Sequence, residues 1–271
     1  MTAKAKYLIG DVANLMGLSR DTLRYYDKRG ILTSEKGENG YRYYTERDIS
    51  KMIGILYQRK MDIGLTDMEQ LWTGNGTLGK LNEITNARLE EERQAIRKHE
   101  QTIARLQITQ KDCENFQHHL NQVNLQNFPD AYVIVPHCTM AESVELWFEY
   151  AKSFDGLDMM YFFDEYTWEY RSDSLYTNYR NSQLILHRDL KDIVDYPLHE
   201  HKTAVTKSAL CVSTYCISNE RTPSADAVLP MIEWAKKQGL MISQQIYSTF
   251  AFQGTQSGES VYYQQIYLPV F

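Results

Sequence analysis

The chain has 271 residues, 43% of them hydrophobic and 24% charged, with a formal net charge of −6. That composition excludes a disordered chain and leaves enough apolar surface for one large domain or two smaller ones. No apolar run reaches the roughly 18 residues that a bilayer span needs, no secretory h-region follows Met1, and Cys113, Cys138, Cys211 and Cys216 lack C-x-x-C spacing; the expectation is a soluble, cytoplasmic protein with reduced thiols and no membrane partner.

The net charge hides a division. Residues 1–60 carry 12 basic and 7 acidic side chains, whereas residues 129–271 carry 10 basic and 18 acidic ones. A basic head is thus followed by an acidic body, and only the head suits a polyanion. No proline precedes Pro129, which predicts a helical first part and a sheet-containing second part.

Apolar positions at helical spacing from Tyr7 to Leu15 predict a first helix. Gly17 allows a tight turn. Ser19 is an N-cap for a second helix, with Asp21 favourable in its first turn, and Gly30 ends that helix near Arg29. Helix, short turn and helix form a helix-turn-helix unit. Asn39-Gly40 signals a hairpin ahead of the aromatic run Tyr41-Arg42-Tyr43-Tyr44, which reads as a wing. Thr45 with Asp48 resembles a capping box for a third helix over about 46–60, and a fourth follows over about 66–72.

Between Leu78 and Leu120, Leu89, Ile96 and Ile103 recur every seven residues; Glu92, His99, Leu106, Cys113 and Leu120 follow three places on from that register. This is an a/d seam with polar interruptions, too long to bury against so small a head, and it predicts a long helix that pairs with a second copy. Cys113 falls on the seam, so a small buried hydrophobe is expected there rather than a metal ligand, although His118 and His119 follow it. No metal and no cofactor are expected.

In the body, Ala131–Pro136 reads as a strand and Ala141–Phe154 as a helix, with strands at Met159–Phe163 and Leu184–His187. Ala204–Ile217 alternates as one long strand or two short ones. Leu229–Gln238 is a helix ended by Gly239, and strands follow over 240–252 and 261–270. The pattern suggests two βαββ units in one α+β domain.

Tyr7-Leu8-Ile9-Gly10-Asp11-Val12-Ala13, Leu18-Ser19-Arg20-Asp21-Thr22-Leu23-Arg24-Tyr25-Tyr26-Asp27, Gly30-Ile31-Leu32 and Tyr41-Arg42-Tyr43-Tyr44 strongly resemble the MerR family of winged-helix transcription regulators. The match covers about residues 6–120. The body resembles the GyrI-like effector domain of multidrug-sensing members, through Leu229–Ser243 and the terminal run Tyr262–Val270. The expected architecture is multi-domain: an all-α winged helix-turn-helix head over 1–76, a long antiparallel coiled-coil dimerisation helix over 77–122, and an α+β GyrI-like ligand-binding domain over 123–271.

The resemblance implies a homodimer on double-stranded promoter DNA whose −35 and −10 elements are too far apart. A bound inducer would make the dimer bend and untwist that DNA for RNA polymerase. The second helix of such a unit enters the major groove. Ser19, Arg20 and Thr22 then stand at its N-terminal end, with Arg20 able to offer guanine a bidentate guanidinium. Arg24 and Tyr25 one turn later, Arg42 and Tyr43 on the wing, and Arg59 and Lys60 at the end of the third helix suit phosphates.

Residues 129–271 contain 23 aromatic side chains. Aromatic walls within an acidic surround suit flat aromatic or cationic organic ligands. Val144, Trp147, Phe162, Trp168, Tyr170, Tyr247, Gln264 and Tyr267 are the candidate lining. GyrI-like sensors often carry an acidic residue on the final strands, whereas Tyr247 and Gln264 stand there here; a neutral ligand, or a cation held by ring faces, is therefore favoured. The alternatives are a small-molecule hydrolase and a protein-binding adaptor. There is no nucleophile elbow and no Ser-His-Asp spacing, so catalysis is not expected.

Overall fold

A computed structural model describes residues 6–73, 77–172, 174–198, 203–207 and 209–271. The chain divides into two compact units, Met1–Ile96 and Arg97–Phe271.

The first unit contains β1 (Tyr7–Leu8), α1 (Ile9–Met16), α2 (Arg20–Lys28), β2 (Glu35–Lys36), β3 (Arg42–Tyr44), α3 (Glu46–Lys60) and α4 (Leu65–Thr73), then the first part of α5 (Leu78–His119). The sequence placed Tyr7 and Leu8 in the first helix; they form a strand instead. Leu8 is extended, at φ −76 and ψ 156, and the Asp11 carboxylate accepts its N–H at 3.3 Å, so the helix starts at Ile9. Tyr7 and Leu8 pair with Tyr44 and Tyr43. The head is therefore not all-α: it carries a three-stranded sheet in the order β1-β3-β2. Val12, Leu23, Tyr26, Ile31, Tyr44, Met52, Ile55 and Met68 form its core. Gly54 lets α3 meet Trp72, since a Cβ there would stand 2.9 Å from the indole. The indole N–H donates to Gln58 at 2.7 Å.

On α5 the heptad seam is uncovered within the chain. Leu89, Ile96, Ile103 and Leu106 are 46%, 55%, 53% and 65% exposed. Cys113 on the same seam is exposed as well. Over its last five turns α5 also carries a second stripe, at Gln101, Ala104, Ile108, Asp112 and Phe116, that packs into the second unit. Gln101 donates to the Ile193 carbonyl at 3.1 Å, and Arg105 grips Asp158 through two bonds of 2.5 Å.

The second unit adds β4 (Asn124–Asn127), β5 (Ala131–Cys138), α6 (Met140–Ser153), β6 (Tyr161–Arg171), β7 (Ser174–His187), β8 (Ala204–Val205), β9 (Leu210–Ser218), α7 (Ala225–Lys237), β10 (Gln245–Gln256) and β11 (Glu259–Pro269). One eight-stranded sheet runs β4-β9-β11-β10-β6-β7-β5-β8, and every pairing is antiparallel. The segments β5-α6-β6-β7 and β9-α7-β10-β11 are the two βαββ units. Their strands mirror one another in the sheet and meet where β6 pairs with β10.

The departures from expectation have local causes. β6 and β7 are 11 and 14 residues long, well beyond the apolar cores Met159–Phe163 and Leu184–His187, because cross-strand pairing continues to Arg171 and Ser174 with Tyr166, Trp168 and Leu175 packed into a second apolar cluster. α7 begins at Ala225, where the Ser224 hydroxyl accepts the Ala227 N–H, and it tolerates Pro230 within its length. The strand expected over 240–252 begins at Gln245. Ala204–Ile217 resolves into two strands, β8 and β9. β4 was not foreseen. The expected junction after residue 76 falls outside the described residues. No helix among the described residues is long and apolar enough to cross a membrane.

Alternation of side chains divides the sheet into two faces. One packs α6 and α7: Leu184 and Leu186 lie with Leu146, and Val212, Ile246 and Ile266 with Val228 and Met231. The other carries Phe163, Ile185, Cys211, Tyr247 and Tyr267, and it looks toward the packed stripe of α5 across a cavity.

Candidate nucleic-acid interface and ligand cavity

In the head, α2 begins with Ser19 extended and its hydroxyl accepting the Thr22 N–H at 3.0 Å; the two hydroxyls lie 2.8 Å apart. This cap sets the direction of the helix and leaves Arg20 exposed on its first turn. Arg24 is exposed and pairs with Asp21 at 2.8 Å. Tyr25 is 39% exposed, and Arg29, which the sequence reading had not singled out, lies 5.4 Å from its ring centroid and donates to its hydroxyl at 3.2 Å. Tyr26 is buried in the core.

On the wing, Arg42 donates to the Asp27 carboxylate at 2.9 Å, a half-buried pair that ties the hairpin to α2. The Tyr43 hydroxyl accepts from Asn39 at 2.8 Å, and the Lys6 ammonium lies 5.9 Å from its ring. Arg59 and Lys60 are exposed at the end of α3. Ser19, Thr22, Tyr25 and Arg59 converge on an open groove of about 480 Å³, together with Asp21 and Asp62. Arg20, Arg24, Arg42, Tyr43 and Lys60 do not line that groove.

In the body, a cavity of about 690 Å³ lies between the sheet and α5. Phe163, Tyr267 and Phe128 give it an aromatic wall; Ile108, Asp112 and Asn115 face them from the helix. A smaller recess of about 290 Å³ has Trp147, Phe162, Phe250 and Phe252 around it. Phe162 and Phe250 stack at 5.3 Å, and Trp147 stacks on Phe162 at 6.3 Å. Asp112 and Tyr161 line both spaces.

The eight candidate ligand residues are not brought to one place. Tyr267 lines the large cavity, while Trp147 and Phe162 line the recess. Tyr247 packs behind the cavity wall, 5.0 Å from the Phe128 ring. Trp168 donates to the Ser243 carbonyl at 2.9 Å and holds Tyr170 edge-on. Tyr170 and Val144 are exposed. Gln264 stands three residues from Tyr267 on one strand and so faces the other side of the sheet; it is buried and donates to the Glu220 carbonyl at 2.6 Å.

The electrostatics centre on residues the sequence reading missed. The Tyr161 hydroxyl donates to Asp112 at 3.3 Å. Burial pushes the Asp112 carboxyl up to about 6, against the lowering effect of Tyr161 and Lys111. Burial, and then the neighbouring Asp112 charge, hold the Tyr161 phenol far above its ordinary value. Burial pulls the His187 imidazole below its ordinary value, against the raising effect of Asp189. On the opposite face Asp164, 2% exposed, takes two bonds from Arg221, at 2.5 and 2.7 Å, and one from Ser182 at 2.5 Å. The Arg221 guanidinium lies 5.0 Å from the Phe162 centroid and 5.2 Å from that of Phe250. Among the described residues, no group of three or more His, Cys, Asp or Glu is placed to hold a metal ion.

Residues 8–44 match the model of the MerR family regulatory protein. The HTH-type transcriptional regulator ZntR of Escherichia coli is 33% identical over 66 residues, 24% of this chain and 47% of that one. Over these residues the head is similar to MerR-family regulators. The HTH-type transcriptional regulator SkgA of Caulobacter vibrioides is 36% identical over 64 residues, 23% of this chain and 25% of that one. A cryo-EM structure of EcmrR bound to DNA aligns over 97% of this chain and 99% of its own, at 17% identity and a TM-score of 0.35. The chain spans about half the length of the first curated relatives it matches.

Proposed function

We propose that this protein is a ligand-responsive transcription regulator that binds double-stranded promoter DNA as a homodimer. The carrying observation is α2 of the MerR-type head: Ser19 caps it, and Arg20 and Thr22 stand on its first turn. That is the end that enters the major groove in helix-turn-helix proteins. The wing, steadied by the Arg42–Asp27 pair, supplies Arg42 and Tyr43 for flanking phosphates, with Arg24, Tyr25, Arg59 and Lys60 adding to the same backbone contacts.

The uncovered seam of α5 supports an antiparallel coiled coil between two copies, since four large apolar side chains in water need a partner. The paired βαββ units support the GyrI-like reading of the body. The 690 Å³ cavity is of the size that holds small organic molecules, and its aromatic wall suits an aromatic or cationic one. The ligand acts only through its differential affinity for two states of the dimer, one of which distorts an overlong promoter into a form RNA polymerase can use.

The test is fluorescence anisotropy on duplexes from the protein's own upstream region. Wild-type protein binds them well above random duplex, with a steep salt dependence. Arg20→Ala lowers affinity most at particular base pairs, whereas Arg42→Ala lowers it alike on all sequences. Binding no tighter than to random duplex refutes the reading.

A further inference from the structure

We propose that the large cavity takes a compound carrying a primary ammonium group, and that Asp112 of α5 is its counter-charge. The inference rests on the ligand-sensing reading above and goes beyond it, because it puts the recognising charge on the long helix, where the sequence reading looked for it on the sheet.

Asp112 has no cationic ion-pair partner among the described residues. Its one hydrogen bond comes from Tyr161, at a long 3.3 Å. A carboxylate half-withdrawn from water with so little compensation is under-satisfied, and an N–H⁺ donor remedies that directly. The charged groups around it do not do so. Lys111 is exposed on the rim, Asp130 pairs outward with Arg188, Asp189 is a further negative charge, and burial disfavours the charged form of the His187 imidazole. On the recess side, Arg105 is already gripped by Asp158.

The wall opposite offers acceptors as well as rings. Thr249 lines the cavity, is 7% exposed, and its buried hydroxyl makes no hydrogen bond. Such an orphan is costly unless a ligand or water meets it. Phe163 and Tyr267 line the same wall, their rings stacked on one another at 5.9 Å, so that the body of the compound meets an apolar, aromatic surface. A carboxylate short of hydrogen bonds selects a cation that donates them, so a primary amine is preferred to a quaternary one of the same shape.

The position of Asp112 gives the ligand its leverage. Asp112 lies on the same continuous helix as the exposed seam. A ligand that neutralises it changes the forces on that helix without relay through the sheet.

Isothermal titration of the full-length protein with phenethylamine, tyramine and tryptamine, against 2-phenylethanol, tyrosol and tryptophol, tests the proposal. At least one amine should bind about tenfold or more tighter than its alcohol, and its trimethylammonium analogue should bind more weakly than the amine. Asp112→Asn should bring the amine-to-alcohol ratio to about one while leaving alcohol binding in place. Alcohols binding as well as amines, with the ratio unmoved in Asp112→Asn, overturns the ammonium assignment but leaves the cavity as a ligand site. Failure of every probe to bind at millimolar concentration overturns the assignment and, with it, the sensing reading for this cavity. Thr249→Val separates a folding defect from a binding one: it should keep the fold and weaken the amine about threefold or more, and an unchanged affinity removes Thr249 from the site.

Discussion

The Asp164–Arg221 pair sits at the join of the two βαββ units, on the sheet face that bears the helices. Its side chains are 2% and 12% exposed, and the guanidinium also rests against Phe162 and Phe250. Removing one partner leaves the other charge in a dry site, which costs about 3–5 kcal/mol in comparable cases. Arg221→Met strands the Asp164 carboxylate with only the Ser182 hydroxyl. Asp164→Val strands the guanidinium against two rings. Each single change should therefore cost about 3 kcal/mol, and the double change about 3–4 rather than about 6, because no buried charge is left. The coupling of about 2–3 kcal/mol is read from urea denaturation by tryptophan fluorescence, on a Trp72→Phe background so that only Trp147, Trp168 and Trp234 of the body report. An additive double change, or single changes under about 1 kcal/mol, refutes the claim that this pair fastens the β9–α7 loop to β6.

Ser19→Ala removes the N-cap of α2 and should lower head stability by about 1 kcal/mol in thermal melts, with a near-neutral effect on the body. Asp112 has a native carboxyl raised to about 6 from an ordinary 3.8, so the native state takes up the proton more readily and stability falls as pH rises between those values. Asp112→Asn should then be more stable than wild type above pH 6, by up to about 3 kcal/mol before solvent screening, and the advantage should vanish below about pH 4; an advantage that does not change with pH speaks against a raised carboxyl. Ile96→Glu puts a charge on the exposed α5 seam and should shift dimer to monomer in sedimentation at micromolar concentration, while the circular dichroism of the chain is kept. Arg42→Ala should lower the slope of log affinity against log salt by about one, and Asp27→Asn, which frees Arg42 from its pair, should leave that slope intact.

Much of the head was legible because its signals are local. Ser19, Thr45 with Asp48, and Asn39-Gly40 specify caps and a turn through neighbours within three residues, and α2, α3 and the hairpin follow them closely. Tyr7 and Leu8 were misread since their strand exists only by pairing with β3, a contact more than thirty residues away. In the body, the two βαββ units were visible as alternating patterns, but the lengths of β6 and β7 were not. Cross-strand partners, rather than apolar runs, carry that hairpin outward. Six of the eight candidate ligand residues are aromatic, and side-chain type does not say which face of a strand a residue takes. A shift of one position exchanges cavity for core.

The sequence by itself determined a basic MerR-like head, a long seam-bearing helix and an acidic α+β body, because caps, heptads and charge segregation are written in neighbouring residues. Tertiary structure alone decided where the body could hold a ligand. The spacing of Gln101, Ala104, Ile108, Asp112 and Phe116 is helical, yet only the fold shows that this stripe meets the sheet while the heptad beside it stays bare. A carboxylate on a polar helix reads as a solvated charge until a sheet half withdraws it from water, and that desolvation is a property of packing alone.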